Sequence, residues 1–150
     1  MGKVVVRATL KNGVDEALAR RGKISNKAIR GITVDALVDT GAVQCVIPSF
    51  VAQKLGLAEV GRQVVKYADG REESVPLSET VVFEIEGRRS AEECLILGDE
   101  VLIGQTALEK TDLHVDCKKR KLAGNPEHPN QPVITVKSYY PTARHLNIRK

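Results

Sequence analysis

Apolar and polar positions along this chain alternate in short runs rather than in long helical stripes. Residues 3–10 carry the run Val4-Val5-Val6 and end at the turn pair Asn12-Gly13, which predicts a strand. Residues 15–21 predict a short helix with Asp15 as N-cap and Gly22 as its stop. A basic connection follows over 23–31, with a helical turn beginning at Ser25. Residues 32–38 alternate and then become continuously apolar, as a strand does on entering a core. Residues 43–47 predict another strand, and Pro48 opens a helix that Gly56 closes, with Val51 and Leu55 four apart on its buried face. Residues 64–67 and 73–77 flank Asp69-Gly70, a strong hairpin signal. Residues 80–86 alternate, with Val81, Phe83 and Ile85 set against Val82, Glu84 and Glu86, and Gly87 marks the next turn. Residues 93–97 and 101–103 predict short strands, and Thr106 with Glu109 has the spacing of a capping box for a helix after Gly104. Residues 113–117 alternate as the last strand of the body.

Many short strands separated by turn signals, with two or three short helices, predict a closed or nearly closed mainly β domain. From Gly124 onward the chain carries four of its six prolines, Pro126, Pro129, Pro132 and Pro141. We therefore divide the sequence into a domain over 1–123 and a Pro-containing basic extension over 124–150. Residues 124–132 read as an extended linker, and 133–140 as either a further strand or a disordered tail.

At 150 residues the chain is sized for one domain with a core that needs no disulfide or metal. The formal charge of +4 conceals an asymmetry. Residues 118–150 hold eight basic side chains and one acid, while residues 1–117 hold fifteen basic and eighteen acidic ones. Aromatics are scarce, at 3%, which disfavours a module that stacks bases. The Lys118-Lys119-Arg120-Lys121 run reads as a solvated strand end, with weak nucleic-acid binding through the tail as the alternative. Apolar runs fall far short of the ~18 residues of a membrane span, and the N-terminus lacks a signal-peptide stretch. Three cysteines without Cys-x-x-Cys spacing fit a reducing cytoplasm. No metal is expected: His114, Asp116 and Cys117 are near in sequence, but on a strand only the first two share a face.

The informative segment is Ala36-Leu37-Val38-Asp39-Thr40-Gly41-Ala42, an apolar strand that runs straight into an acid, a hydroxyl and a glycine. An aspartate there is costly unless the chain turns and the carboxylate finds partners. An ordinary β-turn has the same composition, so the surrounding features matter. They are the helix after Pro48, the hairpin Tyr67-Ala68-Asp69-Gly70-Arg71, and Leu102-Ile103-Gly104 before a short helix. Together, over about residues 32–122, they resemble the retropepsin-like (retroviral-type) aspartic proteases, with the look of the bacterial-type branch.

The resemblance implies a closed acid-protease barrel and an aspartic endopeptidase that uses no cofactor. It makes Asp39 the catalytic carboxylate, with Thr40 bracing paired loops, Gly41 permitting the tight turn and Ala42 leaving room. Tyr67, Ala68, Asp69, Gly70 and Arg71 would form a flap over peptide or protein substrate. Leu102, Ile103 and Gly104 would support the site structurally. One Asp-Thr-Gly motif in a chain this short requires a second copy, so the implied partner is the chain itself, as a homodimer. Two departures bear on that dimer. Gln105-Thr106 stands where viral enzymes usually place a basic residue, and the strand that interleaves protomers is either 113–117 or 133–140. A catalytically silent module that keeps the fold for binding or dimerisation is the alternative. Cys45, on an apolar strand six residues after Asp39, reads as a buried structural thiol.

Overall fold

In the computed structural model, which describes residues 3–137, the N-terminal alternation becomes β1, Val5–Asn12. Val6, Ala8, Leu10 and Asn12 face inward, while Val5 and Arg7 face solvent. One edge of β1 pairs antiparallel with β2, Gly31–Val38, from Val5↔Leu37 to Lys11↔Gly31. Its other edge pairs with the second half of β5, Glu72–Ile85, from Ala8↔Ile85 to Asn12↔Val81. β2 runs parallel to β7, Val101–Ile103, and β7 meets β3, Val46–Ile47, at Leu102 and Val46. β3 runs parallel to β6, Arg88–Ile96, which returns antiparallel along β5. The ring β1-β2-β7-β3-β6-β5 therefore closes on itself as a six-stranded, retropepsin-like barrel. β4, Glu59–Lys66, continues the sheet beyond β5, so β4 and the first half of β5 form an arm outside the ring. Closure removes the unpaired edges that an open sheet would expose.

Phe83, Leu10, Ile47, Leu55, Ile85 and Ile103 are fully buried inside the barrel. Each such side chain contributes about 1.5–3 kcal/mol relative to exposure. Three short helices pack against the strands: α1, Gly13–Arg20; α2, Ser49–Lys54; and α3, Gln105–Thr111. Val51 and Leu55 share the buried face expected for α2. The turn anticipated at Ser25 is a 3-10 turn over Asn26–Ala28, closed by the Ala28 amide on the Ser25 carbonyl. Among the described residues no helix is long and apolar enough to cross a membrane.

Several elements differ from the pattern-based reading. Asn12, not Asp15, caps α1: its side chain accepts from the Asp15 amide at 3.0 Å. Asp15 is instead buried in the first turn, because Arg30 supplies a partner for both of its oxygens. The expected strands 73–77 and 80–86 are one strand, β5, whose register on β6 shifts between Leu77 and Thr80. Val82 points away from the Phe83 side yet is buried, because α1 covers it. β6 begins at Arg88, five residues early, since the tight Glu86-Gly87 turn, with φ of 50° and 73°, lets pairing resume at once. The capping box is not made. Thr106 Oγ1 donates to Glu92 Oε1 at 2.9 Å and Gly104 is the N-cap of α3. Of the strand expected over 43–47, only Val46–Ile47 is extended sheet, and Val43 is exposed.

After α3, β8, Leu113–Asp116, pairs with β9, Lys121–Gly124, which the sequence reading missed. The basic run therefore caps a hairpin turn, with Arg120 at φ 52°. Residues 124–132, read as an extended linker, are tied to the body, as is Val133 after them. The Asn125 amide bonds the Asp112 carbonyl, Arg88 donates to the Pro129 carbonyl at 3.0 Å, and the Val133 amide donates to Asp112 Oδ2 at 3.1 Å. Residues 133–137 form no strand, and the rest of the expected strand lies outside the described residues.

Candidate active site

The end of β2 is apolar on both faces because each is covered: Ala36 and Val38 pack with the barrel core, and Leu37 lies on the other face beside Val4 and Val115. The parallel ladder with β7 extends one residue past β2, where the Asp39 amide donates to the Ile103 carbonyl at 3.0 Å. There the chain reverses. The Ala42 amide bonds the Asp39 carbonyl at 3.2 Å, and the Gly41 amide donates to Asp39 Oδ1 at 3.0 Å. An aspartate folding back on the second amide after it is the chemistry that favours Asp in such turns. The carboxylate is half-buried and its other oxygen has no hydrogen-bond donor among the described residues. Thr40 and Gly41 are exposed and Ala42 is half-buried.

The loop after Ala42 is built on the start of α3. Gln105 N–H donates to the Ala42 carbonyl at 2.7 Å and Thr106 N–H to the Val43 carbonyl at 3.0 Å. These amides would otherwise be orphans at a helix N-terminus, so α3 needs no side-chain cap. Gly104 is required by proximity: a Cβ there would stand 2.5 Å from the Gln44 carbonyl oxygen and 2.9 Å from that of Ala42. Ile103 is fully buried beneath, and Leu102 packs with Val46, Val75 and Leu95 in a second apolar cluster that Val65 and Leu77 of the arm also join. The structure thus brings Asp39, Thr40, Gly41 and Ala42 together with Leu102, Ile103 and Gly104.

The hairpin residues stand apart, at the tip of the arm. Gly70 N–H closes the turn on the Tyr67 carbonyl at 2.9 Å, with Gly70 at φ 88°, and Ala68 is exposed at its crest. Arg71 bonds Asp69 Oδ2 at 2.8 Å and stacks over the Tyr67 ring, 4.9 Å from its centre. Tyr67 donates to Glu73 at 2.9 Å. The Arg71 guanidinium holds the Asp69 carboxyl below its ordinary value, and the hydrogen bond to Glu73 raises the Tyr67 phenol. The arm meets the Asp39 loop nearer its base, where Gln63 Nε2 donates to Gln44 Oε1 at 2.6 Å. Sequence reasoning missed Gln44 and Gln63. No local pattern distinguishes them, since their link joins segments 19 residues apart.

Beside Asp39 and Thr40 opens a cleft of about 230 Å³, bordered by Val4, Leu37, Val115 and Cys117. Cys45 is buried against Gly104, and burial pushes its thiol up to about 11. No three His, Cys, Asp or Glu side chains among the described residues are grouped to hold a metal ion.

The sequence profile of the family described as gag-polyprotein putative aspartyl protease matches residues 25–110, more than half of the chain. The chain belongs to that family. The matched span runs from the connection before β2 to the end of α3, so it takes in the Asp39 loop, the arm and Gly104. The N-terminal β1–α1 unit and the β8–β9 hairpin lie outside it. No curated protein matches the chain significantly.

Proposed function

We propose that this protein is a homodimeric aspartic endopeptidase in which the Asp39 carboxylates of two copies share one site. The observation that carries this reading is the Asp39-Thr40-Gly41 turn itself. A carboxylate is held by its own loop amide through one oxygen, at the end of a strand clamped between two others, in a chain with a single such motif. The cleft of about 230 Å³ beside Asp39 is smaller than the ~300–1,000 Å³ typical of ligand pockets. A second copy would complete it.

Two carboxylates about 3 Å apart cannot both ionise readily, so the pair holds one proton over a wide pH range and titrates as a unit. The ionised carboxylate takes a proton from a water molecule as the water oxygen bonds the scissile carbonyl carbon. The protonated carboxyl hydrogen-bonds the carbonyl oxygen as charge develops there. Collapse of the tetrahedral intermediate breaks the C–N bond, and the leaving nitrogen takes a proton from the pair. In this scheme Thr40 braces the two loops across the axis, and the Tyr67–Arg71 tip closes over substrate and excludes water. Ala42 leaves space beside the peptide. The chemistry needs no cofactor and operates at mildly acidic to neutral pH. Three free cysteines support a reducing compartment such as the cytoplasm. The α1 unit, additional to the retroviral pattern, supports the bacterial-type branch.

The test is cleavage of a peptide library by the purified full chain, with and without a pepstatin-type inhibitor, beside Asp39→Asn. Inhibitable cleavage that Asp39→Asn abolishes is the expected result. Activity that survives Asp39→Asn overturns the assignment.

A further inference from the structure

The connection after α1 concentrates positive charge on an otherwise acidic body. Residues 20–30 hold five basic side chains and no acid, while the rest of residues 1–117 holds ten basic and eighteen acidic ones. Arg30 is engaged inside the fold: its Nε and Nη2 bond the Asp15 carboxylate at 2.8 and 2.9 Å. Arg20, Arg21, Lys23 and Lys27 remain exposed. Beside them, α1 and strands β5 and β6 enclose a groove of about 540 Å³. Its floor includes Val14 and Leu18, four apart on α1 and 43% and 36% exposed, together with Val82. Its rim is Arg20, Arg21 and Arg89.

The rim is under-neutralised. Glu16 accepts from Arg89 at 2.7 Å and lies 3.9 Å from Arg20, while Arg21 makes no ion pair among the described residues. Arg20 and Arg89 thus share one carboxylate beside an apolar floor, and Glu84, opposite Arg89 in the β5–β6 register, is taken by Lys11. The surface is also preformed. Asn12 donates to the Leu55 carbonyl at 2.8 Å, the Arg30 amide donates to Asp15 Oδ2 at 3.0 Å, and the Arg30 guanidinium packs over Gly56. A rigid surface loses less freedom on binding.

We propose that this groove docks an acidic segment of a partner protein, with apolar side chains on Val14 and Leu18 and carboxylates on Arg20 and Arg21, beside Arg89, whose Nε and Nη2 are held by Glu16. Guanidiniums suit carboxylates bidentately, and their aliphatic stems extend an apolar floor. A nucleic-acid backbone would use the arginines but leave Val14 and Leu18 without apolar partners. The groove lies far from Asp39. Val4, just before β1 and bonded to Val38 beside Asp39, and Asn12, the cap of α1 at the far end of β1, stand eight residues apart. At ~3.3 Å per residue they are roughly 26 Å apart along the strand. The groove therefore tethers a protein rather than receiving a scissile bond. Its use as a substrate tether rests on the endopeptidase reading; the docking does not.

The test is fluorescence anisotropy with the full chain and a labelled, end-capped peptide of sequence Glu-Leu-Glu-Glu-Leu-Glu. Controls are its Lys-for-Glu counterpart and a single-stranded oligonucleotide. The acidic peptide is expected to bind, and the Lys counterpart to bind at least ten-fold more weakly. The double variant Arg20→Glu/Arg21→Glu, whose sites are exposed and whose melting curve should match wild type, is expected to lose at least ten-fold, as is Leu18→Asp. Equal binding of the two peptides, or unchanged binding by both variants, overturns the proposal. So does displacement of the peptide by an oligonucleotide that binds more tightly. A second readout addresses the tether: an acidic segment linked to a short uncharged substrate should raise kcat/KM in wild type but not in the double variant, while the unlinked substrate is cleaved equally by both. Binding without any cleavage leaves the docking standing and counts against the protease reading alone.

Discussion

Gly104 sits against the backbone of Gln44 so closely that a Cβ would stand 2.5 Å from the Gln44 carbonyl oxygen and 2.6 Å from its carbon. Backbone, not a flexible side chain, fills that space, so a methyl group there must displace the Asp39 loop. Gly104→Ala should cost about 1–3 kcal/mol, the usual range for overpacking. It should also lower cleavage at least a hundred-fold, because a shift near 1 Å in a catalytic group is enough for that. Urea unfolding beside a peptide-cleavage assay measures both; full activity in Gly104→Ala would show that the contact does not set the loop.

The Asp15–Arg30 pair predicts a particular pH dependence. Hydrogen bonds from Arg30 hold the Asp15 carboxyl below its ordinary value of 3.8, against the opposing effect of burial. A group whose pKa is lowered by folding stabilises the fold fully above its unfolded pKa and ceases to do so as pH falls through the folded value. Stability should therefore decline below about pH 4. Asp15→Asn should lower stability at neutral pH by about 1.5–3 kcal/mol, the scale of hydrogen bonds to charged groups, and should flatten the acid limb. Urea midpoints between pH 2 and 7 for both proteins check this, and parallel curves would contradict it.

The three thiols should separate cleanly by reactivity. Cys45 and Cys94 are fully buried and burial raises both thiols, Cys45 to about 11, whereas Cys117 is exposed at the end of β8. The thiolate is the reactive form. A disulfide reagent at pH 8 should therefore label one thiol in the native protein and three in denaturant. Rapid native labelling of more than one would mean that the β3–β6 side of the barrel opens readily.

What was legible in the sequence was local. The Asp39 turn, α2, the Asp69-Gly70 hairpin and the Leu102-Ile103-Gly104 run each carry their signal within a few residues, and each is found where expected. Misreadings arose where a partner distant in sequence took over a local role. Asp15 has the profile of an N-cap, but Arg30 draws it inward and Asn12 caps instead. Thr106 has the spacing of a capping box, but Glu92 across the fold takes its hydroxyl. β5 looked like two strands because the bulge around Ser78, whose buried hydroxyl accepts from the Cys94 amide, shifts the alternation midway. β9 was hidden because Leu122 is its one fully buried apolar side chain, beside a basic turn.

A site that takes one Asp39 from each of two copies is read out by subunit mixing. Wild-type chain and Asp39→Asn are combined in equal amounts, allowed to exchange, and assayed at constant total protein. If the site needs an Asp39 from each copy, random pairing leaves about a quarter of the dimers intact and activity falls to about a quarter. Activity of about half would mean that each chain carries a complete site, and would rule out a site shared between two copies.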